Sequence, residues 1–121
     1  MVRRARELTL VGLMVLGLLA AAPIPALAGS NGQQINVQDN RGDVYSVCID
    51  GQNQSGAHVR ACFSTPSYNN WINNYWWRGW TLIDEYGASG NYIQTVGTYV
   101  PTSQSSDWWC VDDRNGAGTA C

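Results

Sequence analysis

The chain has 121 residues, seven basic and nine acidic side chains, four cysteines and a net charge of −2. That length allows one small domain. No lysine is present, and beyond residue 28 only the scattered Arg41, Arg60, Arg78 and Arg114 remain, which leaves no electrostatic footprint for nucleic acid.

Residues 1–28 carry the three parts of a secretory signal. Arg3, Arg4 and Arg6 form a basic start, Leu8 to Ala22 is an apolar run, and Ala26-Leu27-Ala28 is a small-x-small cleavage site. A transmembrane anchor fits less well, because Pro23 and Pro25 interrupt the stretch and no flanking charge follows. Arg3-Arg4 hints at a twin-arginine signal, but Ala5-Arg6-Glu7 stands where apolar residues belong, which favours general secretion. Cleavage after Ala28 takes 28 of the 121 residues and leaves a single β-domain, 29–121, secreted and with no membrane attachment. It also removes three of seven basic residues and one of nine acidic ones, so the mature charge is −4.

The mature chain reads as a series of strands. Ile35 and Val37 alternate with Asn36 and Gln38, and Asn40-Arg41-Gly42-Asp43 supplies a turn. Tyr45, Val47 and Ile49 then share one face, with Val44, Ser46, Cys48 and Asp50 opposite. After Gly51 to Gly56, the run His58 to Thr65 places Val59, Ala61 and Phe63 against Arg60, Cys62 and Ser64. A hairpin of these two runs brings the apolar sets to one face and Cys48 opposite Cys62 on the other. Tyr68, Trp71, Ile72 and Tyr75 recur at helical spacing, although the four intervening asparagines are poor helix formers, so Ser67 to Tyr75 is a short helix or an ordered loop. Trp76 to Tyr86 reads as a strand, Asn91 to Val100 as another, and Asp107 to Val111 as a last short one. Residues 112–120 are too polar for a core.

Four cysteines in a short exported chain form a disulfide framework. Local spacing favours Cys48 to Cys62 and Cys110 to Cys121, each stabilising by about 3 kcal/mol in the chain-entropy model. Zinc is disfavoured by the long intervals within each pair, and no metal or cofactor is expected. The fold class is therefore all-β: a small antiparallel sandwich or barrel of five to six strands with two local disulfides and room for one short helix.

Catalytic signatures are thin. His58 is the only histidine and reads as a solvated hairpin residue. Nothing in the spacing unites it with Glu85 and Arg60 into a nuclease-like set, and adjacent Asp84 and Glu85 face opposite ways on a strand. Neither a nucleophile elbow nor a zinc-protease motif occurs. Arg41-Gly42-Asp43 matches an adhesion tripeptide but is ordinary turn chemistry, and Asn53-Gln54-Ser55 is a glycosylation acceptor triplet. Asp39, Asp43 and Asp50 fit no calcium-loop spacing.

Six tryptophans between Trp71 and Trp109 carry the functional signal. In the pairs Trp76-Trp77 and Trp108-Trp109 the two rings must point to opposite faces of a strand, so part of the set is core. Trp76, Arg78 and Trp80 share one side, and Trp and Arg are enriched at binding hot spots. If that side were core, Arg78 would be a buried cation in need of Asp84 or another carboxylate. The expectation is an exposed face of Trp76, Arg78 and Trp80, with Trp71, Tyr75 and Trp108 contributing, on a non-catalytic secreted protein. Its partner is expected to be an extracellular protein, either a secreted enzyme that it inhibits or the neighbouring chains of a secreted assembly. The alternative is a carbohydrate-binding module whose tryptophans stack on sugar rings.

Overall fold

The computed structural model describes residues 29–121, so the proposed signal lies outside the described residues. Seven strands follow in chain order: β1 Gln33–Gln38, β2 Ser46–Gln52, β3 His58–Ser64, β4 Asn69–Tyr86, β5 Tyr92–Val100, β6 Trp108–Asp112 and β7 Gly118–Ala120. No helix occurs among the described residues, and none long and apolar enough to cross a membrane.

β4 organises everything else. Its amino-terminal half pairs antiparallel with β1, which continues to β6 and then β7. Its carboxyl-terminal half lies between β2 and β5, and β2 continues to β3. One strand thus belongs to two half-sheets, in the order β3-β2-β4-β1-β6-β7 with β5 also on β4, and the sheet does not close. All pairings are antiparallel except β1 with β6, so the sheet is mixed.

Alternation decides which faces meet. Ile35 and Val37 of β1, Val47 and Ile49 of β2, Ile72, Trp77 and Ile83 of β4, Val96 and Val100 of β5 and Val111 of β6 form one buried cluster. Both half-sheets contribute, so burying these branched side chains holds the halves together, at roughly 1.5–3 kcal/mol for each large one. Both expected disulfides are formed. Cys48 and Cys62 are direct cross-strand partners with Cα atoms 4.0 Å apart, and Cys110 pins Cys121 at 5.8 Å.

Four expectations need correction. The segment around Tyr68 to Tyr75 is strand, not helix or loop, because β1 supplies a ladder for Asn69 to Ile72; of the helically spaced residues only Ile72 is buried, while Tyr68, Trp71 and Tyr75 are exposed. Tyr45 faces solvent and Val44 the core, since the Asp39 carboxylate accepts the Val44 N–H and turns the chain before β2 begins. The polar tail supplies a seventh strand, β7, beyond the five to six expected. Asp113 and Gly116 of that tail are buried as well.

Candidate functional site

The strand parity read from Trp76 to Tyr86 holds, with Trp77, Thr81, Ile83 and Glu85 inside. Trp80, Leu82 and Asp84 lie on the outer face. Antiparallel register sets Trp80 opposite Tyr99, Leu82 opposite Gly97 and Asp84 opposite Thr95. A Cβ added at Gly97 would collide with the Trp80 indole, so this glycine lets the ring lie flat across β5. The result is an apolar surface with Trp80 62 % exposed, Tyr99 66 % and Leu82 40 %, while Tyr92, 60 % exposed, lies beyond the Asp84–Thr95 pair. Beside it lies a polar rim. Arg60 donates to Asp84 at 2.7 Å, Thr95 donates to the other oxygen of Asp84 at 2.6 Å, and Tyr92 packs edge-on against Tyr86 at 6.0 Å. The Thr95 hydroxyl and Arg60 together hold the Asp84 carboxyl below its usual range.

Arg78 leans the other way. Its guanidinium donates to the Asn31 side chain at 3.2 Å, and Asn31 in turn donates to the Gln54 carbonyl at 3.2 Å. It is thus not a buried cation, and Asp84 is engaged by Arg60 instead. The chain Arg78–Asn31–Gln54 steadies the tip of the β2–β3 hairpin, whereas Trp80 reaches toward β5. The expected Trp76, Arg78 and Trp80 strip is therefore split: β4 runs on through Gly79 at positive φ, but its register with β2 shifts between Arg78 and Leu82.

Trp76 belongs to a cleft where the two half-sheets part. Gln33 pairs with Trp77 but Ile35 with Ile72, so residues 73–76 bulge out of the β1 ladder. Asn74 adopts φ 68°, a left-handed conformation that Asn tolerates better than most residues, and its N–H is held by the Gln34 side chain at 2.7 Å. Bulges of this kind re-aim side chains. Here Tyr75 and Trp76 turn toward the β2–β3 hairpin and line, with Trp77 and Val59, a cleft of about 380 Å³. Asn53, Gln54 and Ser55 of the hairpin tip and Asn74 of the bulge complete it. Tyr75 is fixed edge-on against Phe63 at 4.7 Å and stacked beside Trp77 at 6.5 Å. The Trp77 Nε1–H is buried and has no partner among the described residues.

Trp71 and Trp108 form a third aromatic group, edge to face at 4.9 Å, on the outer face of the other half-sheet. Gln34 and Asn36 of β1 run between their strands. Trp109 turns to the core side, packs against its cluster and donates to Thr98 at 2.9 Å. Of the six expected site residues, Trp76 and Tyr75 meet in the cleft and Trp71 meets Trp108, while Arg78 and Trp80 stand apart. Sequence reading missed Tyr99, Tyr92 and Leu82. The signal was Gly97 in the middle of a strand, a residue that marks a close approach.

The remaining motifs have structural roles. Arg41 is bound by Glu85 at 2.7 Å, Asp43 at 3.1 Å and Asp113 at 3.4 Å, so the adhesion-like tripeptide is tied inward. Asp39, Asp43 and Asp113, not Asp50, gather their carboxylates within 4.8 Å of one another. Backbone N–H groups of Gly42 and Val44 satisfy Asp39, and Asn40 and Arg41 satisfy Asp113, which is the work of a loop clasp. Glu85 is fully buried, and its Oε1 has no partner among the described residues. Burial pushes its carboxyl up to about 7 despite the hydrogen bond and charge of Arg41, and burial together with the adjacent Asp39 raises Asp113. His58 pairs with Asp50 at 2.6 Å on the solvent side. Glu85 faces the core while Arg60 and His58 pair with outer-face aspartates, so no nuclease-like set assembles. No protein-family model matches the chain, and neither a curated protein nor a solved structure matches it.

Proposed function

We propose that this is a non-catalytic secreted protein that engages an extracellular protein partner, as an inhibitor of a secreted enzyme or a subunit of a secreted assembly. The observation that supports this reading is the outer surface of Trp80, Leu82 and Tyr99, with Tyr92 beyond the Asp84–Thr95 pair, four large side chains left in water around ion-paired groups. Large exposed apolar patches rimmed by polar residues mark interaction surfaces, and aromatic residues dominate their energetics. Trp80 and Leu82 lie on β4, which is paired on both sides beyond Arg78, Tyr99 lies on β5 against it, and Gly97 seats the indole, so this part of the surface is already ordered and loses little entropy on docking. The two disulfides fit an oxidising, extracellular setting.

The test is affinity purification from the native culture supernatant with the tagged protein and with Trp80→Ala/Tyr99→Ala. Wild type should retain a defined protein that the double variant loses, with the thermal transition little changed. Equal retention by both would refute this surface as the interface. A secreted hydrolase titrated stoichiometrically would identify an inhibitor, and larger secreted chains that co-purify would identify an assembly subunit.

A further inference from the structure

The cleft between the bulge and the hairpin tip is chemically unlike the outer surface. We infer that it is a second, separate binding site, for an uncharged glycosyl unit.

Three observations carry this. First, the walls are aromatic while the rim is made of amides. Tyr75, Trp76 and Trp77 offer ring surface, and Asn53, Gln54 and Asn74 surround it. A pyranose ring has the same division: its C–H-bearing face lies against an aromatic ring, whose face carries negative charge density, and its equatorial hydroxyls project sideways. Second, the amides are free to act. The side chains of Gln54 and Asn74 make no hydrogen bond among the described residues, and only the backbone of each is engaged. Asn53 uses its Oδ1 to organise the turn, accepting from Ser55 and Ala57, which leaves its Nδ2 to donate. Each free amide both donates and accepts, as every sugar hydroxyl does. A proline-rich peptide, the other usual occupant of aromatic grooves, offers carbonyl acceptors only and would strand the amide oxygens. Third, no charged side chain lines the cleft. The nearby cation, Arg78, is held behind the hairpin tip by Asn31, so a uronate or sulfated sugar would find no counter-charge there.

The size agrees. About 380 Å³ is at the small end of the range for ligand pockets, roughly 300–1,000 Å³, and suits a short stretch of glycan. Arg78 is a positioning residue here: through Asn31 it holds the segment that presents Gln54.

The experiment is titration calorimetry of the disulfide-bonded protein with cellohexaose, xylohexaose, maltoheptaose and chitohexaose, together with hexagalacturonate and decaproline. At least one neutral oligosaccharide should bind saturably and shift tryptophan emission. Trp76→Ala should weaken that binding by at least about tenfold and Gln54→Ala by about threefold or more, with Tyr99→Ala unchanged. Should Trp76→Ala fail to fold, Gln54→Ala on the exposed turn decides the matter. Failure of all four neutral sugars to bind would overturn the inference, as would tighter binding of hexagalacturonate or decaproline, or undiminished binding by a folded Trp76→Ala. None of these outcomes bears on the outer surface, which Trp80→Ala/Tyr99→Ala tests alone.

Discussion

The two halves of β4 differ in composition and in structural character: Asn69 to Trp77 holds four aromatic residues and four asparagines, Arg78 to Tyr86 two aromatic and three charged residues. From Leu82 to Glu85 the strand is paired on both sides, by β2 and β5, and its side chains alternate between core and outer face. From Asn69 to Trp77 only β1 pairs with it, and residues 73–76 leave the ladder. The regular half provides stability and a flat surface; the irregular half provides a concave one. A strand with both edges engaged has no freedom to turn a side chain, whereas one with a single engaged edge can bulge and aim several residues at the same space.

The contrast can be broken most severely from the regular half. Ile83→Ala removes a fully buried side chain where both neighbouring strands meet and should cost about 2–5 kcal/mol by thermal or denaturant unfolding. A loss under about 1 kcal/mol would mean that the inner face of this half is not the centre of the core.

Next in size is a pH effect, also from the regular half. The Glu85 carboxyl is raised from 4.5 to about 7 in the folded protein, so the folded state holds its proton more tightly than the unfolded chain. The associated stability is fully present below pH 4.5 and is lost as pH rises through about 7. Melting temperature should therefore fall across that window, by the equivalent of on the order of 3 kcal/mol, and Glu85→Gln should flatten most of the slope. Asp113, also raised, leaves a residual slope of the same sign. A variant whose profile overlays the wild type would show that Glu85 does not hold its proton.

Smaller again is the effect of Gly97→Ala. The new methyl group meets the Trp80 ring, so the indole should swing off β5 and partner capture should weaken, while stability changes by about 1–2 kcal/mol or less. Unaltered capture would separate Trp80 from the interface. The smallest change in stability is expected for Asn74→Gly. Glycine takes the left-handed conformation freely and the Gln34 contact is to the backbone, so unfolding should shift by about 0.5 kcal/mol or less. The same variant deletes one of the cleft amides, and calorimetry with the neutral sugars should register that loss although the fold does not.

Much of the fold was legible because it depends on local rules. Alternation in Ile35 to Val37, Val47 to Ile49 and Thr81 to Glu85 named the inner residues, and agreeing parities on β2 and β3 placed Cys48 opposite Cys62. The candidate sites were legible only in part. Trp76 stood out by its type, but its neighbours Asn53, Gln54 and Ser55 read as a glycosylation acceptor triplet in a loop, and Asn73 and Asn74 looked like poor helix formers. Glu85 shared the inward parity of Thr81 and Ile83, but Asp113 gave no sign of being buried, since long-range packing and an arginine shared with Glu85 put it there.

What the sequence determined by itself is therefore what a two-residue repeat and a short loop can encode: strands, their inner faces, and two local disulfides. Tertiary structure alone decided that β4 would serve two half-sheets, that β1 and β6 would run parallel, and that the tryptophans would divide among a cleft, an outer surface and the core. These depend on which edges of a strand find partners. That is settled between segments far apart in the chain, where loop closure and packing of the whole core outweigh any local preference.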